Sequence, residues 1–468
     1  GACLIGLCIF GIRGRTGYNP IKVSAAYFCQ DAFLNQLGVS PTFNLLTSVM
    51  DDMRPENKYL HLMDEQEAIT KAQALLNRPG DANVSPLAVY RHAAKADSVQ
   101  QRRPNVVLIM MESMSAKFMK HFGQSETLTP FLDSLYTRSI SFRNFYSAGI
   151  HTNHGLYATL YSFPAMMKRN LMKGSVIPRY SGLPTVLKEN GYYNLFFMTH
   201  EGQYDNMNAF FRTNGYDEVF SQEDYPADKV VNSFGVQDDF LYDYAIPVLN
   251  QRAATGQPFF ATLLSISNHP PYVIPPFFHP KTSEPEMQIV EYADWALRQF
   301  FEEARKQPWF DNTIFVLEGD HGKLVGDAEC ELPESYNHIP LMIYSSRIQP
   351  EEKTTFGGQV DIQPTILGLL NIDYLQNNFG VDLLKEERPC MFYTADNMVV
   401  GRNDTLLYLY NYETQQELTY DIGNGKLNAV PMDDSFLPLK EYSFSMLQSA
   451  EFLVKHGKTL NSIPFTQQ

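Results

Sequence analysis

Three short stretches carry side chains able to hold a metal ion and present a nucleophile. Two are apolar runs that end in such groups. Asn105-Val-Val-Leu-Ile-Met-Met is followed by Glu112-Ser113, and Asn312-Thr-Ile-Phe-Val-Leu-Glu-Gly is followed by Asp320-His321-Gly322. The third, Ser147-Ala-Gly-Ile-His151-Thr152-Asn153-His154-Gly155, offers the Thr152 hydroxyl where a helical pattern starts. Two carboxylates and an imidazole suit a hard or borderline divalent cation. A threonine hydroxyl is a poor nucleophile in water and is activated by coordination. A helix start adds N–H groups and the positive end of the dipole, which favour a phosphate. The set is laid out as a metal-activated nucleophile.

The elements that must position these groups read as α/β. Continuously apolar runs are the mark of parallel strands buried on both faces, and open α/β sheets bind ligands beyond their strands' carboxyl ends. From 105 onward strand-like and helix-like segments alternate. Thr129-Pro130 opens a helix, with Thr129 as N-cap and Pro130 at the first helical position. Leu183 starts another, closed by Asn190-Gly191, and Tyr192 to Met198 is the next strand. Pro258 to Ser265 and Ile339 to Tyr344 read as strands, and Glu291 to Glu303 and Pro364 to Leu370 as helices. Upstream, Thr42 to Met53 and His61 to Leu76 have helical apolar spacing, the second stopped by Asn77-Arg78-Pro79-Gly80. Arg102-Arg103-Pro104 punctuates the start of the large domain. The expected organisation is an end of a transmembrane helix at 1–12, a helical accessory region at 13–100, a catalytic domain at 101–400 and a small α+β appendage at 401–468. The antiparallel part of that appendage comes from Leu406 to Tyr410 and Glu417 to Tyr420.

The 468 residues, 44% hydrophobic and 13% aromatic, suit a large globular core. A formal net charge of −15 disfavours a nucleic-acid partner. The five cysteines, Cys3, Cys8, Cys29, Cys330 and Cys390, form no Cys-x-x-Cys pair, which argues against a structural zinc. Free thiols are the expectation, with a Cys330–Cys390 pairing open in an oxidising compartment. Ala2 to Ile12 is apolar yet well short of the ~20 residues that span a bilayer. It lacks the marks of a signal peptide, and with Gly1 in place of Met it is read as the end of a transmembrane helix, an ordinary buried strand or helix being the alternative that composition leaves open.

In these stretches the chain resembles the lipoteichoic acid synthase and phosphoglycerol transferase family of the alkaline phosphatase and sulfatase superfamily, in its Bacteroidetes-type branch. Asn105 to Ser113, Leu128-Thr-Pro-Phe-Leu132, Ser147 to Gly155, Ser267-Asn268-His269-Pro270, Tyr292-Ala-Asp294, Asn312 to Gly322, Tyr336 to Pro340 and Asp361 to Thr365 carry the resemblance. It implies an alkaline-phosphatase-like sheet, mixed but mostly parallel, sandwiched by helices. It also implies one Mn or Mg ion, with Zn as the alternative, held by Glu112, Thr152, Asp320 and His321. Thr152 would be the nucleophile and form a phospho-threonine intermediate. His269 would contact the substrate phosphate or its leaving oxygen. The substrate would be a phosphodiester such as a phospholipid headgroup, the acceptor a glycan or lipid alcohol. The location would be the extracytoplasmic side of a bacterial membrane.

One element departs from the family. The Trp-Asn-Arg that follows a histidine matching His200 falls here on Asp205-Asn206-Met207. His200, Asp205 and Asn206 are therefore pocket candidates, without the arginine's bidentate phosphate fork. A headgroup other than plain glycerol phosphate is expected, phosphoethanolamine or a glycan-linked phosphate. No cysteine or serine sits in the Cys/Ser-x-Pro/Ala-x-Arg context of a formylglycine sulfatase, Ser175-Val-Ile-Pro-Arg179 having the wrong spacing. A hydrolase and a catalytically silent binding protein are the rival readings. The intact Glu-Thr-Asp-His set argues against the latter.

Overall fold

The two apolar runs lie side by side in the middle of one sheet. The computed structural model describes residues 2–15, 20–29, 32–54, 57–77, 89–96, 103–174 and 177–461. The first elements are helices α1 (Ala2–Arg13), α2 (Ala32–Leu37), α3 (Pro41–Asp52) and α4 (Glu65–Leu76) and strand β1 (Tyr90–Ala93). The main sheet comprises β2 (Asn105–Met111), β3 (Ile140–Tyr146), β4 (Tyr193–Met198), β5 (Glu218–Phe220), β6 (Phe259–Leu264), β7 (Thr313–Gly319), β8 (Leu341–Tyr344) and β9 (Glu351–Gly358). Their spatial order is β5-β4-β6-β2-β7-β8-β3-β9. Pairing is parallel except at β8, which runs antiparallel to β7 and β3. β2 and β7 are in register from Asn105↔Thr313 to Met111↔Gly319. Glu112 and Asp320, each the next residue, therefore leave the sheet at one level.

Between the strands lie α5 (Pro130–Tyr136), α6 (Thr152–Tyr161), α7 (Leu183–Glu189), α8 (Met207–Thr213), α9 (Asp238–Ala253), α10 (Pro285–Ala304) and α11 (Ile362–Leu369). Strand side chains alternate between faces. Val107 and Ile109 pack with residues of α5, α9 and α10, and Val106, Leu108 and Met110 share a core with residues of α6, α7, α8 and α11. Every residue of β2 and β7 is buried, which is why both runs are apolar without alternation.

Local details differ from the sequence reading in instructive ways. Thr129 stands at the N-cap of α5, but its side chain caps nothing. Instead Asp294 of α10 accepts the N–H groups of Phe131 at 2.9 Å and Leu132 at 2.8 Å. Helix α10 starts six residues before the expected Glu291, with Pro285 at its first position, where a missing N–H costs nothing. Glu291 lies inside it, buried, and accepts the N–H groups of Lys281 and Thr282. Helix α4 ends at Leu76 with Asn77 as C-cap. Arg78-Pro79-Gly80, Arg102, Ser175 and Val176 lie outside the described residues.

Strand β10 (Tyr374–Asn377) pairs antiparallel with β1 and so fastens the N-terminal region to the end of the sheet unit. β11 (Met391–Thr394), β12 (Met398–Arg402), β13 (Leu406–Asn411), β14 (Gln416–Asp421) and β15 (Asn428–Ala429) form an antiparallel sheet of five, on which α12 (Leu437–Lys455) packs. The 400/401 boundary read from sequence falls inside β12. Helix α1 exposes Leu4, Ile5, Leu7, Ile9, Phe10 and Ile12. No described helix is long and apolar enough to cross a membrane. All five cysteines are free thiols.

Candidate metal centre and active-site cleft

Glu112, Asp320 and His321 converge at the carboxyl ends of β2 and β7, each offering a ligand atom within 4.8 Å of the others. Glu112 and Asp320 are buried. The Ser113 hydroxyl donates to Glu112 Oε1 at 2.6 Å, and the Glu112 N–H donates to Ser265 Oγ at 3.0 Å. Burial, together with the carboxylate of Asp320 alongside, pushes the Glu112 carboxyl well above its ordinary range. Asp320 Oδ1 accepts the N–H groups of Ser113 at 2.8 Å and His321 at 2.7 Å. Its buried Oδ2 has no hydrogen-bond partner.

An orphaned carboxylate oxygen beside a second buried carboxyl is unfavourable unless a cation meets both. His321 completes the set. Its Nδ1 lies 2.8 Å from the Gly322 carbonyl, so the proton belongs on Nδ1 and the Nε2 lone pair is left for a ligand bond. Nε2 is 3.6 Å from Asp320 Oδ2 and 3.9 Å from Glu112 Oε1. This donor set fits one divalent cation.

Thr152 is the first residue of α6, and its Oγ1 donates to Glu112 Oε2 at 3.5 Å. The close approach depends on a glycine one turn along. A Cβ on Gly155 would sit 2.3 Å from the Asp320 carbonyl oxygen. The helix start can thus rest against the end of β7.

The cleft above has a volume of about 410 Å3, and its walls include Glu112, Thr152, Asp205, His269, His321 and Lys323. His269 Nδ1 lies 2.6 Å from the Pro270 carbonyl, its ring packs on Phe234, and burial lowers its pKa. Asp205 is at the rim, but its charge is already answered. Lys173 Nζ donates to Oδ1 at 2.9 Å and Asn153 Nδ2 to Oδ2 at 3.2 Å.

His200 and Asn206 do not line the cleft. His200 is buried against Tyr204 with Nε2 unpartnered, and burial lowers its pKa. Asn206 turns away and donates to the Met172 carbonyl at 2.9 Å. Asp205 and Asn206 have φ of 46° and 67°, a left-handed pair at the rim. His151 pairs with Asp396 at 2.6 Å, and buried His154 is pushed down to about 3. Neither joins the ligand cluster among the described residues.

Lys323 was not among the candidates read from sequence. It stands two residues past His321, and burial pushes its ammonium down to about 8 although Glu286 and Glu112 oppose the shift. Only its closeness to Asp320-His321 could have drawn attention to it.

The sulfatase family model matches residues 104–372. Lipoteichoic acid synthase 1 of Bacillus subtilis (strain 168) is 25% identical over 350 residues, covering 69% of this chain and 53% of that protein. The chain thus spans about half the length of the curated relatives it matches. Among solved structures, a protein in the alkaline phosphatase superfamily from Vibrio parahaemolyticus superposes with a TM-score of 0.77 and 26% identity, over 87% of this chain and 100% of that one. The lipoteichoic acid synthase LtaP from Listeria monocytogenes shares the fold, with a TM-score of 0.65 and 20% identity over 77% of this chain and 96% of that one.

Proposed function

The chain belongs to the sulfatase family, and on that premise we propose that it is a metal-dependent phosphotransferase. It takes a phosphodiester headgroup onto Thr152 and passes it to an acceptor alcohol. The observation that carries this reading is the Thr152 hydroxyl at a helix start, 3.5 Å from a buried carboxylate of the Glu112-Asp320-His321 cluster. A divalent cation, Mn or Mg, held by Glu112, Thr152, Asp320 and His321 supplies acidity to a coordinated hydroxyl and neutralises phosphoryl charge.

The protein's own groups do the rest. Glu112 Oε2, which accepts from the Thr152 hydroxyl, orients it for in-line attack. It takes the hydroxyl proton as the Thr152 Oγ–P bond forms and the bond to the leaving alkoxide breaks, and returns that proton to Thr152 Oγ when the acceptor displaces it. The first turn of α6 adds N–H groups and its dipole to the charge on the transferring group. Burial disfavours a charged His269 in the free protein, and the anionic substrate offsets that. So charged, with its Nδ1 fixed by the Pro270 carbonyl, it gives a proton from Nε2 to the leaving oxygen. Neutral again, it accepts the proton of the acceptor hydroxyl that resolves the phospho-threonine. The matched relatives are named lipoteichoic acid synthases, which supports a lipid-linked substrate; a glycan or lipid acceptor at the outer face of a bacterial membrane completes the proposed reading. The net charge of −15 leaves nucleic acid out of the reading.

The test supplies Mn2+ and headgroup-labelled phosphatidylglycerol or phosphatidylethanolamine to the purified protein and follows the label into water or an added alcohol. Cation-dependent release with transfer to the alcohol is expected, lost in Thr152→Ala while the fold persists. Turnover retained in Thr152→Ala would show that another group attacks. Label passing only to water would make the protein a hydrolase.

A further inference from the structure

Lys323 is the cation built into the wall of the cleft. Its side chain is 15% exposed, whereas that of Lys173, at the rim, is 51% exposed and spends its charge on Asp205. Lys323 Nζ donates to Asn268 Oδ1 at 2.8 Å and to the Tyr272 hydroxyl at 3.1 Å. It also lies 4.8 Å from the centre of the Tyr272 ring and 5.3 Å from that of Phe118. Asn268 is no passive neighbour. Its Nδ2 donates to the carbonyls of Glu112 and Ser113, each at 3.1 Å, which turns Oδ1 toward the lysine. The lysine is therefore tethered to the same loop that carries Glu112.

An ammonium has three N–H donors. Two meet acceptors that carry no charge. The carboxylate of Glu286 is 3.7 Å away, beyond hydrogen-bond range, on a side chain that is 55% exposed. Withdrawing an ammonium from water against neutral partners is unfavourable unless a charged group meets it. Glu286 and Glu112 offset part of the charge from a distance, and one N–H remains for an anion in the cleft, which Lys323 lines together with Thr152 and His269.

We propose that Lys323 binds a non-bridging oxygen of the substrate's tetrahedral oxyanion group. It acts as a charge clamp held ready by Asn268 and Tyr272 on the wall of the cleft. This rests on the reading of the cleft as a phosphoryl-transfer site. The contact is a charge-assisted N–H···O bond, equally open to a phosphoryl and a sulfuryl group. Lys323 is thus a selectivity residue for oxyanion esters as a class.

The experiment titrates inorganic phosphate and, separately, sulfate into the wild type, Lys323→Met and Lys323→Arg by calorimetry, with and without Mn2+. It also measures Mn2+ binding and thermal unfolding for each protein. Losing one charge-assisted bond should weaken phosphate binding about tenfold or more in Lys323→Met, with part of it kept in Lys323→Arg and Mn2+ affinity not lowered. In the wild type the 15N resonance of the Lys323 ammonium should move as phosphate is added, a readout that needs no variant. Unchanged anion affinity in folded Lys323→Met, or a still resonance, overturns the proposal. A wild type that takes no Mn2+ instead strikes the phosphotransferase reading, and the metal-free titrations still decide the lysine. Phosphate and sulfate differing sharply would assign the clamp to one ester class and overturn its generality.

Discussion

Lys173 Nζ sits 2.9 Å from Asp205 Oδ1 at the rim of the cleft, so a headgroup amine reaching Asp205 must first displace that lysine. The pair is partly exposed, with side chains 51% and 22% accessible. Exposed ion pairs of this kind are worth about 0–1 kcal/mol, so the displacement is within reach of a ligand. Lys173→Met should therefore raise the ratio of phosphoethanolamine to phosphoglycerol release by about two- to fivefold, the scale of such a pair. Asp205→Ala should lower it. A ratio unmoved by both substitutions in the headgroup-release assay would remove Asp205 from headgroup recognition. Glu112, Thr152, Asp320 and His321 were legible as a set because each follows a strong local signal, an apolar strand or a helix start. Lys323 and the Lys173–Asp205 pair were not, because their partners arrive from segments far apart in the chain. No local pattern marks Asn268 facing Lys323, nor Asn206 turning away to Met172.

At the scale of elements, the continuous apolar runs made β2 and β7 readable, and their parallel register then delivers Glu112 and Asp320 together. Helix caps were less readable, as α5 shows, since its N-terminus is satisfied by Asp294 from α10 rather than by its own Thr129. Asp294→Ala should cost about 2 kcal/mol by leaving two buried N–H groups unbonded, measured by urea denaturation. Burial pushes the Asp294 carboxyl up to about 7, although the two backbone bonds pull the other way. A carboxyl whose pKa is raised on folding binds its proton more tightly in the folded state. Its contribution to stability is therefore full below its ordinary value of 3.8 and is lost as pH rises toward about 7. Asp294→Asn does not titrate. The stability of the wild type relative to Asp294→Asn should fall between about pH 4 and pH 7. A gap that is flat, or that widens with pH, would mean that the carboxylate stays ionised throughout.

Across the whole molecule, the N-terminal helices, the sheet unit and the C-terminal sheet meet around one buried ion pair. Arg169, in the segment after α6, donates from Nη2 to both carboxylate oxygens of Glu451 on α12, at 3.0 and 2.9 Å. Glu451 Oε2 also accepts the Leu60 N–H at 3.1 Å, and Gln448, one turn earlier, accepts the Leu62 N–H at 2.7 Å. The chain leading into α4 thus hangs on the same face of α12. Further along, Lys22 donates its N–H to Gln203 Oε1 at 3.0 Å, and Arg15 pairs with Glu201, so the N-terminal region also braces the loop that carries Tyr204 and Asp205 to the cleft. The side chains of Arg169 and Glu451 are 10% and 1% exposed, so removing one strands the other without water. Arg169→Ala should cost about 3–5 kcal/mol, and replacing both residues by methionine should recover most of that loss. Because Glu451 also holds Leu60, hydrogen exchange in Arg169→Ala should quicken across Glu65–Leu76 as well as in α12. A loss below about 1 kcal/mol, or faster exchange confined to α12, would show that the N-terminal helices are held by their apolar contacts alone and that the ion pair does not join the three parts.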